Sequence, residues 1–224
     1  MLPLLQLIKK KKEFTLKVLL TDQHLNQKFG NTYVTCQREI GKSNTILINV
    51  NNKKDDSLSR SKSMSNLLAK ISKHFSKSKP DLLMLYGDRM ESLIASMSAI
   101  NFGIPICHFQ GGDLSGNIDE KIRHSITKLS NLHLTSNSKS LKRILQMGEE
   151  KKNSFNIGDS HIDSIKKINF TKKKFDYIKK KYELTHPYAV LMLHPDGISK
   201  QKNKRYCENT LSVLKKFKLQ FICI

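Results

Sequence analysis

The chain has no tryptophan, and no apolar run approaches the roughly 20 residues that a bilayer-spanning helix needs. Ten glycines and five prolines among 224 residues exclude a collagen-like or proline-rich disordered chain. Cysteine is sparse: Cys36, Cys107, Cys207 and Cys223 are scattered and form no C-x-x-C pair. They read as reduced thiols rather than a disulfide framework. The apolar start, Met1 to Ile8, is followed by Lys9 to Lys12 rather than preceded by them, the reverse of a signal peptide. The reading is a soluble cytoplasmic protein with no membrane partner.

Acidic residues are also few, 19 against 40 Lys and Arg, for a formal net charge of +21. Such a balance raises nucleic-acid binding, because polyanion affinity grows with phosphate neutralisation. Only six of the 40 are Arg, however, and the lysine runs at 9–12, 166–167, 172–174 and 179–181 fall where solvated helix faces or linkers are expected. A lysine-rich surface, compatible with a small anionic ligand, is the reading, and nucleic acid is not an expected partner.

Apolar residues make up 38% of the chain, compatible with a buried core, and the length fits one α/β domain plus part of a second. Strands are predicted at 14–20, 45–50, 82–86, 104–109, 132–135, 155–157, 188–193 and 219–224. Between them helical spacing appears at 2–10, 57–75, 91–102, 119–130, 138–147, 170–182 and around 205–216. Strand–helix alternation with continuous apolar strands predicts parallel sheets with helices on both faces. The expected division is an N-terminal Rossmann-like domain over 1–165, a helical linker over 166–186, and the beginning of a C-terminal nucleotide-binding domain over 187–224.

Ligands of such sheets bind beyond the carboxyl ends of the strands. Three predicted strand ends carry unusual polar residues: Gly87-Asp88-Arg89; His108 through Gln110-Gly111-Gly112-Asp113 to Asp119-Glu120 and Arg123-His124; and His194-Pro195. Each has a plainer reading. Asp88 can cap the next helix, Gly111-Gly112 can be a tight turn, Asp119 and Glu120 can serve the helix dipole, and Arg123 can pair with either of them. The histidine spacing fits neither H-E-x-x-H nor a Cys/His finger, so no metal site is expected. Together, acids, an arginine and histidines on one rim can hold a phosphate and move protons at a carbon centre. Nucleophile elbow, P-loop and G-x-G-x-x-G motifs are absent from the sequence.

The order Gly87-Asp88-Arg89, then His108-x-Gln110-Gly111-Gly112-Asp113-x-Ser115-Gly116-x-Ile118-Asp119-Glu120-x-Ile122-Arg123-His124-x-Ile126-Thr127-Lys128-Leu129, resembles the hydrolysing UDP-N-acetylglucosamine 2-epimerases of sialic-acid-type sugar pathways. The likeness continues more thinly through Gly148 and Gly158 to Asp163, includes His194-Pro195, and takes in Phe29 to Tyr33. It implies two Rossmann-like domains of GT-B-like architecture, a UDP-sugar as partner, a homo-oligomer, and no cofactor or metal. The implied reaction eliminates UDP across C1–C2 and then adds water to the glycal. By resemblance Asp88 and Asp119 are acid/base carboxylates, and Arg89 and His194 contact the UDP part. His108 matches a motif histidine near the substrate, and Arg123 and His124 match a pair that orders the substrate-binding loop.

Three departures follow from the same likeness. Gln110 stands where some members have a catalytic Glu, and Asp113, where the motif usually has Glu, is the carboxylate that would take over. Asp196-Gly197 replaces the usual threonine pair after His-Pro. The family's first strand with its diphosphate loop, and its uridine loop, have no counterpart in these 224 residues, so little or no turnover is expected. Two readings stand beside this one: a non-catalytic remnant with weak nucleotide binding, and a basic nucleic-acid-binding α/β protein.

Overall fold

The computed structural model describes residues 1–50, 56–185, 187–194 and 199–224. The chain forms two compact units, Met1–Ile165 and Lys166–Ile224.

In the first unit α1 (Leu2–Lys10) leads to β1 (Val18–Thr21), and α2 (Tyr33–Ile40) to β2 (Thr45–Ile48). β1 and β2 pair in parallel, Val18 opposite Thr45. After α3 (Ser57–Lys77) come β3 (Leu83–Tyr86), α4 (Met90–Asn101), β4 (Ile106–Phe109), α5 (Ile118–Lys128), β5 (Leu132–Thr135), α6 (Ser138–Gln146), β6 (Ser154–Asn156) and α7 (Ser160–Lys166). The four strands form a second ladder in the order β3-β4-β5-β6, every pairing parallel. Consecutive strands lying side by side in parallel require a helical crossover between each pair, which α4, α5 and α6 supply.

Local chemistry explains the elements. Asp56 accepts a hydrogen bond from the Ser59 amide at 2.8 Å and starts α3. Along α3, Ser63, Leu67, Ile71 and Phe75 recur every fourth residue and are its buried positions. The small Ala95 and Ala99 of α4 are buried in the same core. Phe75 meets Phe102 edge to face, ring centroids 6.2 Å apart. Ile48, Val50, Leu85, Ile104, Ile106, Ile122 and Ile126 complete the core, and all four residues of β4 are buried. A strand covered on both faces is apolar or internally hydrogen-bonded, and β4 is apolar at Ile106, Cys107 and Phe109 and hydrogen-bonded inside the protein at His108.

Two helices were absent from the sequence reading. α2 begins Tyr-Val-Thr, β-favouring residues that hide a helix closed by Gly41 at φ +103°. α7 follows Gly158 and is short. The strand expected over 14–20 is confined to Val18–Thr21, and the helix expected around 205–216 begins earlier.

The second unit holds α8 (Lys172–Lys181), β7 (Tyr188–Leu191), α9 (Lys200–Leu214) and β8 (Gln220–Cys223), with β7 and β8 parallel. Among its described residues Leu184 is the one buried apolar side chain, and both Tyr188 and Val190 of β7 are exposed. No helix among the described residues is long and apolar enough to cross a membrane.

Candidate functional site at the carboxyl edge of the four-stranded sheet

β3 ends in Tyr86-Gly87-Asp88-Arg89. The ladder closes with the Gly87 amide donating to the Phe109 carbonyl at 3.0 Å. Gly87 takes φ +75°, which turns the chain so that Asp88 leaves the sheet toward α5. The Asp88 carboxylate forms an ion pair with the Arg123 guanidinium. It does not cap α4, whose N-cap is Arg89 with no side-chain cap. Arg123 is only 8% exposed, and its second terminal nitrogen donates to the Asp113 carbonyl at 2.7 Å. One arginine thus ties the end of β3 to the loop after β4, pairing with Asp88 rather than with Asp119 or Glu120. Arg89 is exposed, its Nε 3.4 Å from Glu91.

His108 corrects an expectation. It is fully buried inside β4, with Nε2 2.7 Å from the Gly87 carbonyl and Nδ1 3.1 Å from the Thr127 hydroxyl. A carbonyl only accepts, so Nε2 carries the hydrogen. Burial drives its pKa down to about 4, against the opposing effect of the Gly87 contact. A ring enclosed in this way cannot reach a substrate. It props the Gly87 turn from beneath.

The glycine pair is fixed by close approach. A Cβ on Gly111 would lie 3.0 Å from the Thr127 hydroxyl and 3.1 Å from His108 Nδ1. Gly112 has φ +83°, and a Cβ there would collide with the Ser140 carbonyl oxygen and stand 2.8 Å from Ile144 Cγ2. Arg143 of α6 donates to the Gly112 carbonyl.

Asp113 is likewise engaged by neighbours. Its carboxylate accepts from the Ser136 hydroxyl at 3.2 Å, Asn137 Nδ2 at 3.2 Å and the Ser140 hydroxyl. Those donors surround the start of α6, and a carboxylate held there serves the helix terminus.

Asp119 lies in the first turn of α5, half-buried, with Asn117 Nδ2 3.3 Å from its carboxylate. Glu120 reaches back to the amides of Ser115 and Gly116 at 3.0 and 2.8 Å, and those amides hold its pKa below the usual carboxylate value. His124 is half-buried, and burial lowers its pKa. His194 is exposed just beyond β7 in the second unit, and Pro195 to Ile198 lie outside the described residues.

The sequence reading missed a second cluster on this edge. Gln110, at φ +60°, donates from Nε2 to Asp159 Oδ2 at 3.0 Å. Asp159 Oδ1 accepts from the His161 amide at 2.8 Å, from His161 Nδ1 at 2.9 Å and from the Tyr86 hydroxyl at 3.4 Å. The Tyr86 and His161 rings meet edge to face at 5.6 Å. These contacts, the His161 amide first, keep the Asp159 carboxyl below its ordinary pKa. Burial raises that of Tyr86. The loop after β6 therefore runs back to the ends of β4 and β3. Its one sequence signal is Gly158-Asp159, a turn residue and an acid after a strand.

Parallel strands joined by helical crossovers, with an Asp–Arg pair, an exposed arginine and a glycine turn at their carboxyl edge, define an α/β protein. The UDP-N-acetylglucosamine 2-epimerase family model matches residues 6–224, and the chain belongs to that family. The GDP/UDP-N,N'-diacetylbacillosamine 2-epimerase (hydrolyzing) of Campylobacter jejuni is 35% identical over 208 residues, covering 92% of this chain and 54% of that protein. The UDP-N-acetylglucosamine 2-epimerase of Neisseria meningitidis is 33% identical over 195 residues, covering 86% and 50%. The chain thus spans about half the length of these relatives. The crystal structure of the Neisseria meningitidis UDP-GlcNAc 2-epimerase bound to UDP-GlcNAc matches with a TM-score of 0.76 at 21% identity, over 100% of this chain and 61% of that one. The Methanocaldococcus jannaschii enzyme in complex with UDP-GlcNAc and UDP matches at 0.75 with 16% identity, over 99% and 62%. The fold is that of these 2-epimerases.

Proposed function

We propose that the rim formed by Gly87-Asp88-Arg89, Gln110 and Asp119 binds a UDP-sugar and belongs to a hydrolysing 2-epimerase. The reaction is loss of UDP from a UDP-N-acetylglucosamine-type sugar, followed by hydration of the glycal. The observation that carries this is the Asp88–Arg123 pair at the end of β3, beside exposed Arg89. It sets a carboxylate, oriented by a buried guanidinium, next to an exposed second guanidinium whose Nε lies 3.4 Å from Glu91. Elimination asks for that combination, a proton acceptor near the sugar carbon and positive charge for the departing diphosphate. That the Campylobacter jejuni relative is a hydrolyzing 2-epimerase favours hydration over simple epimerisation. His108 and Asp113 are framework in this reading, and Asp88 and Asp119 remain the acid/base pair.

The test is UDP release from UDP-N-acetylglucosamine by the purified 224-residue chain, with UDP binding measured by calorimetry in parallel. UDP binding, with any UDP release abolished by Asp88→Asn, supports the reading. Release unchanged by Asp88→Asn, or no binding of UDP at all, overturns it.

A further inference from the structure

Gln110 is the one residue of the 108–113 run whose side chain is neither buried nor committed to a helix terminus, so how it is held decides what it offers a ligand. Its amide can present either a donor or an acceptor, and the two ends differ only by a rotation of half a turn about the last side-chain bond. Here the choice is forced. Asp159 Oδ2, 3.0 Å away, can only accept, so the NH₂ group must face it. The flipped amide would set a carbonyl oxygen against a carboxylate oxygen. The carboxylate is itself immobilised, because Oδ1 accepts from the His161 amide, His161 Nδ1 and the Tyr86 hydroxyl. Backbone geometry adds to this: Gln110 sits at φ +60° with its amide donating to the Leu134 carbonyl at 2.9 Å, so its Cα cannot swing.

We propose that Asp159 is a positioning residue that turns the Oε1 oxygen of Gln110 outward as a fixed hydrogen-bond acceptor, selecting a ligand hydroxyl or amide N–H at this end of the rim. The inference deepens the proposed function and rests on it for the identity of the ligand, whose sugar moiety carries both kinds of donor. It also assigns work to the position that has lost an ionisable proton: Gln110 reads the sugar rather than titrating. The groups facing Asp159 are Tyr86 from β3, Gln110 from the loop after β4, and His161 from its own loop. The Met1 ammonium, which donates to the Ser160 hydroxyl at 3.1 Å, also acts on it through its charge. The donors to Asp159 lower its pKa, which keeps it an acceptor through the neutral range.

Two readouts test this on the full chain. In ¹H–¹⁵N spectra the Gln110 side-chain NH₂ pair is assigned by its disappearance in Gln110→Glu. Asp159→Asn is expected to move that pair to the position of unrestrained glutamines while the backbone amides of 83–109 stay in place. Asp159→Ser should move it likewise, which keeps the test alive if Asp159→Asn fails to fold. An NH₂ pair indifferent to both overturns the positioning role. In calorimetry, Asp159→Asn is expected to weaken UDP-N-acetylglucosamine by about tenfold, the worth of one hydrogen bond, and to leave UDP unchanged. Equal loss for both ligands, or none, overturns the acceptor assignment. Absence of binding of either ligand by the unmutated chain would sink the proposed function and the sugar's place in this inference. The spectra would still decide whether Asp159 holds Gln110.

Discussion

Along one sheet edge the structure sets two neighbourhoods of opposite character. On the side of α5 and α6, His108, Gly111, Gly112, Asp113 and Arg123 are interlocked, most of their polar groups bonded to neighbours inside the protein. On the side of α7, Tyr86, Gln110 and Asp159 are half-buried and His161 is exposed, the four joined by hydrogen bonds. The long sequence signature belongs almost wholly to the first neighbourhood. A dense run of glycines, histidines and acids can therefore hold framework residues such as His108 and Gly112 alongside proposed rim residues such as Gln110 and Asp119, while Asp159 and His161 come from a sparser stretch.

If that contrast is right, substitutions should divide the same way. The largest loss is expected at Gly112→Ala, which combines a left-handed backbone with a collision against α6. It should destabilise the first unit by on the order of 4 kcal/mol, seen as a large fall in the urea midpoint. Next comes acid. His108 has its pKa depressed from 6.5 to about 4, so the unfolded chain binds a proton in that interval and the folded chain does not. Stability from this ring is complete above pH 6.5 and lost as pH falls toward 4, by up to about 3 kcal/mol. Urea melts at pH 7 and pH 4.5 should show the difference, and His108→Gln should shrink it. Asp113→Ala, which strips the acceptor from the start of α6, should cost about 1–2 kcal/mol by the same melts. At the far end, Val190→Thr on the exposed β7 of the second unit should change stability by less than about 0.5 kcal/mol.

The apolar runs at 82–86 and 104–109 announced β3 and β4, because strands enclosed in a parallel sheet draw on a narrow, mostly apolar composition. Helix α3 was legible for a similar reason, its apolar residues returning every fourth position. α2 was not, since its β-branched start outweighs a period only two turns long. Asp88 and Arg123 were singled out from sequence, yet their pairing with each other was not, because 35 residues separate them and only the crossover through α4 and β4 brings α5 beside β3. His108 was misjudged because a strand-end histidine reads as accessible until its ladder partners are known. Asp159 and His161 were missed altogether, since no local pattern states that the loop after β6 returns across the sheet edge.

The most direct measurement is a chemical-shift titration of the uniformly ¹⁵N-labelled chain with UDP-N-acetylglucosamine. The account predicts that shifts concentrate at Gly87 to Arg89, Gln110, Asp119 and Asp159 to His161, and that the ring nitrogens of the buried His108 stay where they are. Perturbations centred on His108 and Asp113 with none at Gln110 or Asp159, or a spectrum that does not respond, would contradict it.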